Sequence, residues 1–169
     1  MTSAQQATLI KGYIPGAIGR IAELHGTYYA RNWGFGLYFE AKVATELSAF
    51  LSAYDTKRDG WWIVVKGDRV EGGIVIDGSH AWDQGAHLRW FILSDTLRGS
   101  GWGRKLITTS VDFCIEKRYP QIYLWTFEGL HAARQLYESL GFRLVQQHKG
   151  RQWGTEVNEQ QFVYRLPVS

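Results

Sequence analysis

Leu97-Arg98-Gly99-Ser100-Gly101-Trp102-Gly103-Arg104-Lys105 decides the fold of this 169-residue chain. A short apolar run, Leu88 to Leu93, precedes it and reads as a buried strand. A helical pattern follows over residues 103 to 117, with Leu106, Ile107, Val111 and Cys114 on its apolar face. Three alternating glycines let the backbone approach a ligand closely and turn its N–H groups inward. The helix N-terminus adds unpaired donors and the positive end of its dipole. Together these make a site for a phosphate or pyrophosphate, with Arg98, Arg104 and Lys105 supplying charge around it. The other reading is a tight strand-to-helix turn with no ligand. A P-loop needs Gly-Lys-Ser/Thr where Gly103-Arg104-Lys105 stands, and a dinucleotide fingerprint needs G-x-G-x-x-G where this chain runs G-x-G-x-G, so neither motif applies.

Outward from this turn, Thr8 to Ile14 reads as a first strand. A helix can begin at Pro15, with Ile18, Ile21, Ala22 and Leu24 on one face. Gly34 and Gly36 interrupt, and Phe39, Val43, Leu47, Phe50, Leu51 and Tyr54 mark a second helix. Trp61 to Val65 and Val70 to Ile76 read as strands joined by Lys66-Gly67-Asp68-Arg69, a hairpin. Residues 78 to 85 are a polar loop. Ile122 to Phe127 is a strand after Pro120. Ala133, Leu136, Tyr137 and Leu140 mark a helix closed by Gly141, and Arg143 to Gln147 and Phe162 to Leu166 are the last strands. The order is β-α-α-β-β-β-α-β-α-β-β. Leu88 to Phe127 forms a strand-helix-strand unit and so a parallel pair with a right-handed crossover; the hairpins require antiparallel pairs. The expected class is α/β, with one mixed, mostly antiparallel sheet of seven strands and four helices.

The composition is that of an ordinary globular protein, 45% hydrophobic and 21% charged, and the chain is long enough to bury a core of its own. A net charge of +3 with no Lys/Arg run excludes a nucleic-acid stripe but suits an anionic ligand. One cysteine, Cys114, precludes an internal disulfide and fits a reducing cytoplasm. Met1 to Gln6 is short and polar, giving no signal peptide, and no apolar run approaches the ~18 residues of a membrane span. The five histidines and the cysteine show no metal-ligand spacing.

At Arg98-Gly99-Ser100-Gly101-Trp102-Gly103 the sequence resembles the Arg/Gln-x-x-Gly-x-Gly/Ala pyrophosphate loop of the GNAT acetyltransferases. Ala133-Arg134-Gln135-Leu136-Tyr137-Glu138-Ser139-Leu140-Gly141-Phe142 resembles that family's Ala-x-x-x-Tyr-Glu-x-x-Gly-Phe helix and turn. The two in this order extend the likeness over nearly the whole chain, 1–169, as one GNAT domain. A narrower similarity, at His25-Gly26, Tyr29-Ala30, Phe39-Glu40, Val43-Ala44 and Leu124-Trp125-Thr126, is to the acetyltransferase half of bacterial MarR–GNAT fusion proteins. The chain has no room for the DNA-binding half, so a transcription regulator is not expected.

The resemblance implies a GNAT fold with a splayed parallel pair, and acetyl-CoA as co-substrate. It places acetyl-CoA against Phe91, Ile92 and Leu93 at the end of the fourth strand and against Arg98, Gly99, Ser100, Gly101, Trp102, Gly103 and Arg104. It implies N-acetylation of a small-molecule amine, with protein acetylation or a non-catalytic acyl-CoA sensor as alternatives. Tyr137 stands where the family keeps the general acid for the leaving sulfur, and a backbone N–H near Leu93 is the implied oxyanion partner. The position seven before the tyrosine, an Asn in many relatives, is Leu130 here. Trp102 either packs below its helix or shields the coenzyme. For the base, Glu40 is the candidate, with His25 and a water relay as competitors. Alternation puts His87, Arg89, Phe91 and Leu93 on one face of the strand; Arg89 could clamp a substrate carboxylate or pair with an acid on a neighbouring helix. Tyr28, Tyr29, Trp33, Phe35 and Tyr38 border the implied acceptor site, as a cover or as core, with Tyr29 and Trp33 as its contacts. Family members are often homodimers.

Overall fold

The computed structural model describes residues 5–167; Met1–Ala4, most of the polar opening stretch, lie outside the described residues. The elements are β1 (Thr8–Lys11), α1 (Ala17–Trp33), α2 (Leu37–Ser52), β2 (Gly60–Lys66), β3 (Arg69–Asp77), β4 (Ala86–Leu93), α3 (Trp102–Glu116), β5 (Gln121–Phe127), α4 (His131–Leu140), β6 (Arg143–Gly150) and β7 (Val157–Arg165). Their order is the one expected, and they form one seven-stranded sheet ordered β1-β2-β3-β4-β5-β7-β6. Every neighbouring pair is antiparallel except β4–β5.

Both faces of the sheet are covered, which explains its continuous apolar strands. Trp61, Ile63 and Val75 pack with Ile21, Leu24 and Leu47 of α1 and α2. Their neighbours Trp62, Val64, Ile74 and Ile76 point the other way, into a core with Leu106, Ile107 and Cys114 of α3 and Tyr137 of α4. Fully burying a large apolar side chain contributes roughly 1.5–3 kcal/mol, so this central hairpin anchors both layers. Cys114 belongs to that core, and burial pushes its thiol up to about 12, as an inert side chain requires.

β4 departs from simple alternation. Gly73 pairs with Ile92 but Val75 with Arg89, so Trp90 and Phe91 together oppose Ile74. This is a β-bulge, and Trp90 sits at its centre with φ 48, an outlier for so large a side chain. The bulge exchanges the two faces in mid-strand. His87 and Arg89 lie before it, while Phe91 and Leu93, after it, pack with Leu88 in the α3/α4 core. Arg89 instead bonds Glu46 of α2, and Trp90 meets Phe50 of α2. The expected shared face for His87, Arg89, Phe91 and Leu93 is therefore corrected: an inserted residue breaks the period of two.

β4 and β5 pair only at Ala86↔Ile122 and His87↔Tyr123. On its other edge β5 runs with β7 along its whole length, Gln121 to Phe127, through seven consecutive pairs, while beyond Tyr123 the two parallel strands part. β6 and β7 are longer than expected, pairing from Arg143↔Val163 to Gly150↔Val157; the added residues are polar and give no apolar pattern, with Gln146 bonded to Gln161 and both Gln160 and Asn158 to Gln147.

Candidate active site

A cavity of ≈ 860 Å³ opens in the fork between β4 and β5. One end is the glycine-rich turn, lined by Arg98, Gly99, Gly101, Gly103 and Arg104. Gly99 (φ 74) and Gly101 (φ 87) adopt backbone angles that L side chains avoid, and a Cβ at either would meet no atom within 4 Å. The peptide surface is thus bare on the cavity side. The first bond of α3 runs from Lys105 N–H to the Gly101 carbonyl at 3.1 Å, so the amides before it have no helical partner. Arg98 is held in place by the Leu93 carbonyl at 2.9 Å, by Asp95 at 3.1 Å and by the Tyr28 ring 4.0 Å away. Arg104 donates to Ser139 at 3.1 Å. Bare backbone, a helix N-terminus and two fixed guanidinium groups suit a pyrophosphate.

Two residues of this loop expected against the coenzyme turn their side chains away from the cavity. Ser100 turns its hydroxyl back to the Leu97 carbonyl. Trp102 packs on the core with the Lys105 ammonium 4.5 Å from its ring. Neither lines the cavity: Ser100 is tied back into its own turn, and Trp102, the first residue of α3, has its side chain on the core.

The middle of the cavity lies between the parted strands, with Phe91, Ile92 and Leu93 on one side and Leu124 to Phe127 on the other. Leu130, Ala133, Leu136 and Tyr137 of α4 and its cap also face it. Tyr137 is 6% exposed, packed on Phe91, Phe142 and Phe162. Its hydroxyl and that of Tyr29 have no hydrogen-bond partner among the described residues, yet no buried side-chain polar atom is left unsatisfied. Both hydroxyls therefore reach the open cavity. Burial, and to a lesser degree the phenol of Tyr29, raises the pKa of Tyr137 far above the usual tyrosine value, so it carries its proton at any working pH.

The far end is built by helix spacing. His25, Tyr28 and Tyr29 of α1 and Phe39, Lys42, Val43 and Glu46 of α2 recur at three- and four-residue intervals and share the cavity face. Glu40 is one position out of phase. It is exposed and lies over Gly26 of α1, where a Cβ would meet its carboxylate; it is not in the cavity, and its expected role as base is corrected on that ground. Trp33 is also outside: its ring meets Phe127 edge-on at 5.1 Å and covers Gly129. Arg89 lines the cavity but is engaged by Glu46 at 2.9 Å and Asp77 at 3.6 Å. Lys42, Glu46, Gln152 and Trp153 line the site without having been foreseen. The 39-42-43-46 spacing was the available signal for the first two; Gln152 and Trp153 come from an irregular turn with none.

His25 is 5% exposed and donates from Nδ1 to the Ile21 carbonyl at 2.8 Å. Burial outweighs that bond and lowers its pKa to about 4. His87 falls to about 3 through burial and the nearby Arg89, against the opposing pull of Asp77. Both rings are neutral when folded, whereas the unfolded chain protonates near 6.5. Their contribution to stability is whole above pH 6.5 and is lost as the pH falls toward 4. For His25 the loss between pH 7 and pH 4.5 is on the order of 2 kcal/mol. The urea midpoint is therefore expected to fall steadily over this range; a midpoint flat from pH 7 to pH 5 is the contrary result.

Among the described residues no group of three or more His, Cys, Asp or Glu side chains could hold a metal, and no helix is long and apolar enough to cross a membrane. The N-acetylaspartate synthetase of Danio rerio is 33% identical over 121 residues, which cover 70% of this chain and 42% of that relative; the human N-acetylaspartate synthetase is 31% identical over 118 residues, 69% of this chain and 38% of that relative. The chain thus spans less than half the length of the curated relatives it matches. In three dimensions it is similar to a Streptococcus agalactiae acetyltransferase (TM-score 0.73, 19% identity, 95% of this chain and 98% of that one). It is similar also to the Salmonella typhimurium yncA protein solved with its cofactor acetyl-CoA (TM-score 0.73, 15% identity, 96% of each chain). The Acetyltransferase (GNAT) family pattern matches residues 20–142, the span from the first helix to the end of the Tyr137 helix and its turn, and the chain belongs to that family.

Proposed function

We propose that this protein, as a single domain, is an N-acetyltransferase that moves an acetyl group from acetyl-CoA to the primary amine of a small molecule. The observation that carries it is the meeting, in one cavity, of the glycine-rich helix N-terminus, the parted strands and the Tyr137 hydroxyl. Arg98, Arg104 and the unpaired amides of the turn and the first turn of α3, Gly99 and Gly101 to Arg104, would hold the pyrophosphate. The β4 edge at Phe91 to Leu93 would take the pantetheine arm as a strand takes its neighbour. When bound, the coenzyme supplies an acetyl group activated as a thioester. The relatives' names, N-acetylaspartate synthetases, support an amine as acceptor.

In the reaction the amine nitrogen forms a bond to the acetyl carbon, the carbon–sulfur bond breaks, one proton leaves nitrogen and one reaches sulfur. Tyr137 donates the proton to sulfur and regains one from solvent, since its raised pKa keeps the phenol protonated. A backbone N–H near Leu93 steadies the negative charge on the carbonyl oxygen. The proton from nitrogen passes to solvent water: Glu46, the carboxylate that lines the cavity, is engaged by Lys42 and Arg89, and burial leaves the two lining histidines weak bases, held near 4 and 3. A cytoplasmic homodimer belongs to the same reading, supported by the single buried cysteine and by exposed aromatics such as Tyr38 and Trp82.

The test is free-thiol release from acetyl-CoA in the presence of a panel of primary amines. Amine-dependent release is expected; a folded protein that binds acetyl-CoA and releases no thiol with any amine refutes the enzyme and leaves the acyl-CoA sensor.

A further inference from the structure

The acetyl-transfer chemistry leaves one cluster of charge unused. Lys42 and Glu46 stand one turn apart on α2, Arg89 lies on β4, and Asp77 ends β3. The Lys42 ammonium donates to Glu46 Oε1 at 2.7 Å, Arg89 Nη2 donates to Glu46 Oε2 at 2.9 Å, and Arg89 Nη1 lies 3.6 Å from Asp77. The signs alternate along one line. Lys42, Glu46 and Arg89 line the cavity that holds Tyr137, while Glu46, Arg89 and Asp77 line a second cavity of ≈ 360 Å³. The Glu46–Arg89 pair is thus a partition shared by both. Its side chains are 38% and 23% exposed, so the pair is half-buried and open to both cavities. Its charges are accessible to those of a ligand.

We propose that this line of charge is the head-group site of the acceptor, and that the acceptor is a free α-amino acid. Its carboxylate is taken by Lys42 and Arg89, and its ammonium by Glu46 until the nitrogen loses its proton. The assignment rests on the acetyl-transfer reading above and adds no step to it. A plain amine cation entering here would meet two cations against one carboxylate in the cavity wall. A plain carboxylate would be faced by Glu46. A zwitterion, with opposite charges on neighbouring carbons, matches both. Arg89 is also preorganised for a carboxylate: its guanidinium plane lies 4.0 Å from the Trp90 ring and is gripped from behind by Asp77.

Acceptor pairs that differ only in the α-carboxylate test this: L-phenylalanine against phenethylamine, L-tyrosine against tyramine, L-lysine against cadaverine, with L-aspartate alongside. Thiol release gives kcat/KM, and calorimetric titration of the best amino acid into CoA-loaded protein gives its Kd without turnover. Amino acids are expected to exceed their decarboxylated partners at least ~10-fold. Lys42→Met and Glu46→Gln should each raise that Kd roughly 10- to 100-fold, as loss of a charge-assisted hydrogen bond does, with acetyl-CoA affinity unchanged; Lys42→Arg, which keeps the charge, should restore most of it. Equal or better use of the plain amines, or a Kd indifferent to Lys42→Met, overturns the head-group site while leaving acetyl transfer intact. Amino-acid binding without thiol release does the reverse. Neither binding nor release overturns both.

Discussion

Gly101→Glu is expected to weaken acetyl-CoA binding by more than ~100-fold while the protein stays folded. Gly101 caps α3 at φ 87 with open space around its missing Cβ. A side chain there costs about 1–2 kcal/mol in backbone strain but meets no wall, so the fold survives. The same side chain fills the space in front of the helix amides and sets a carboxylate where the pyrophosphate belongs. Losing several charge-assisted hydrogen bonds, each worth about 1.5–3 kcal/mol, accounts for the drop. Calorimetric titration with acetyl-CoA, beside a thermal melt, reads both quantities. Gly101→Ala separates strain from charge: it should bind with an intermediate loss. Wild-type affinity in Gly101→Glu would show that the anion lies elsewhere.

Tyr137→Phe is expected to lower kcat by about 10²–10³, within the range of general acid catalysis, and to leave the affinity for acetyl-CoA within a factor of two or so. The structure separates this role from packing. The ring is held by Phe91, Phe142 and Phe162, contacts that phenylalanine keeps. The hydroxyl bonds to no described residue, so its removal strands no partner and should change stability by less than ~1 kcal/mol. Single-turnover thiol release measures the chemical step directly. An unchanged kcat removes the acid role.

The glycine turn and the Tyr137 helix could be read from the sequence because each combines a local signal with a fixed neighbour: Gly99 to Gly103 follow an apolar strand, and Leu140-Gly141-Phe142 closes a helix. The element order followed from helical periodicity together with short apolar runs bounded by turn residues, since the central strands are short and buried on both faces. What failed was phase. Glu40 and Glu46 are both acids of α2, and only the rotation of the helix against α1 puts the second in the cavity and the first over Gly26. Trp90 has nothing in its type that announces a bulge, yet its backbone angle sends Arg89 and Phe91 to opposite faces. The far ends of β6 and β7 escape a hydrophobic pattern because β6 lies mostly exposed at the sheet's edge, so backbone pairing there needs no apolar side chains and polar Gln and Asn residues bond across it.

The parting of β4 from β5 gives this sheet more borders than its outermost strands. After His87↔Tyr123 the facing edges of both strands run on without each other, in the middle of the molecule rather than at its rim. Such open edges are templates for a stray extended chain. An occupant that hydrogen-bonds along the β4 edge then acts as a stopper as well as a reactant, and protein stored or expressed with excess coenzyme should resist clumping better than protein kept without it.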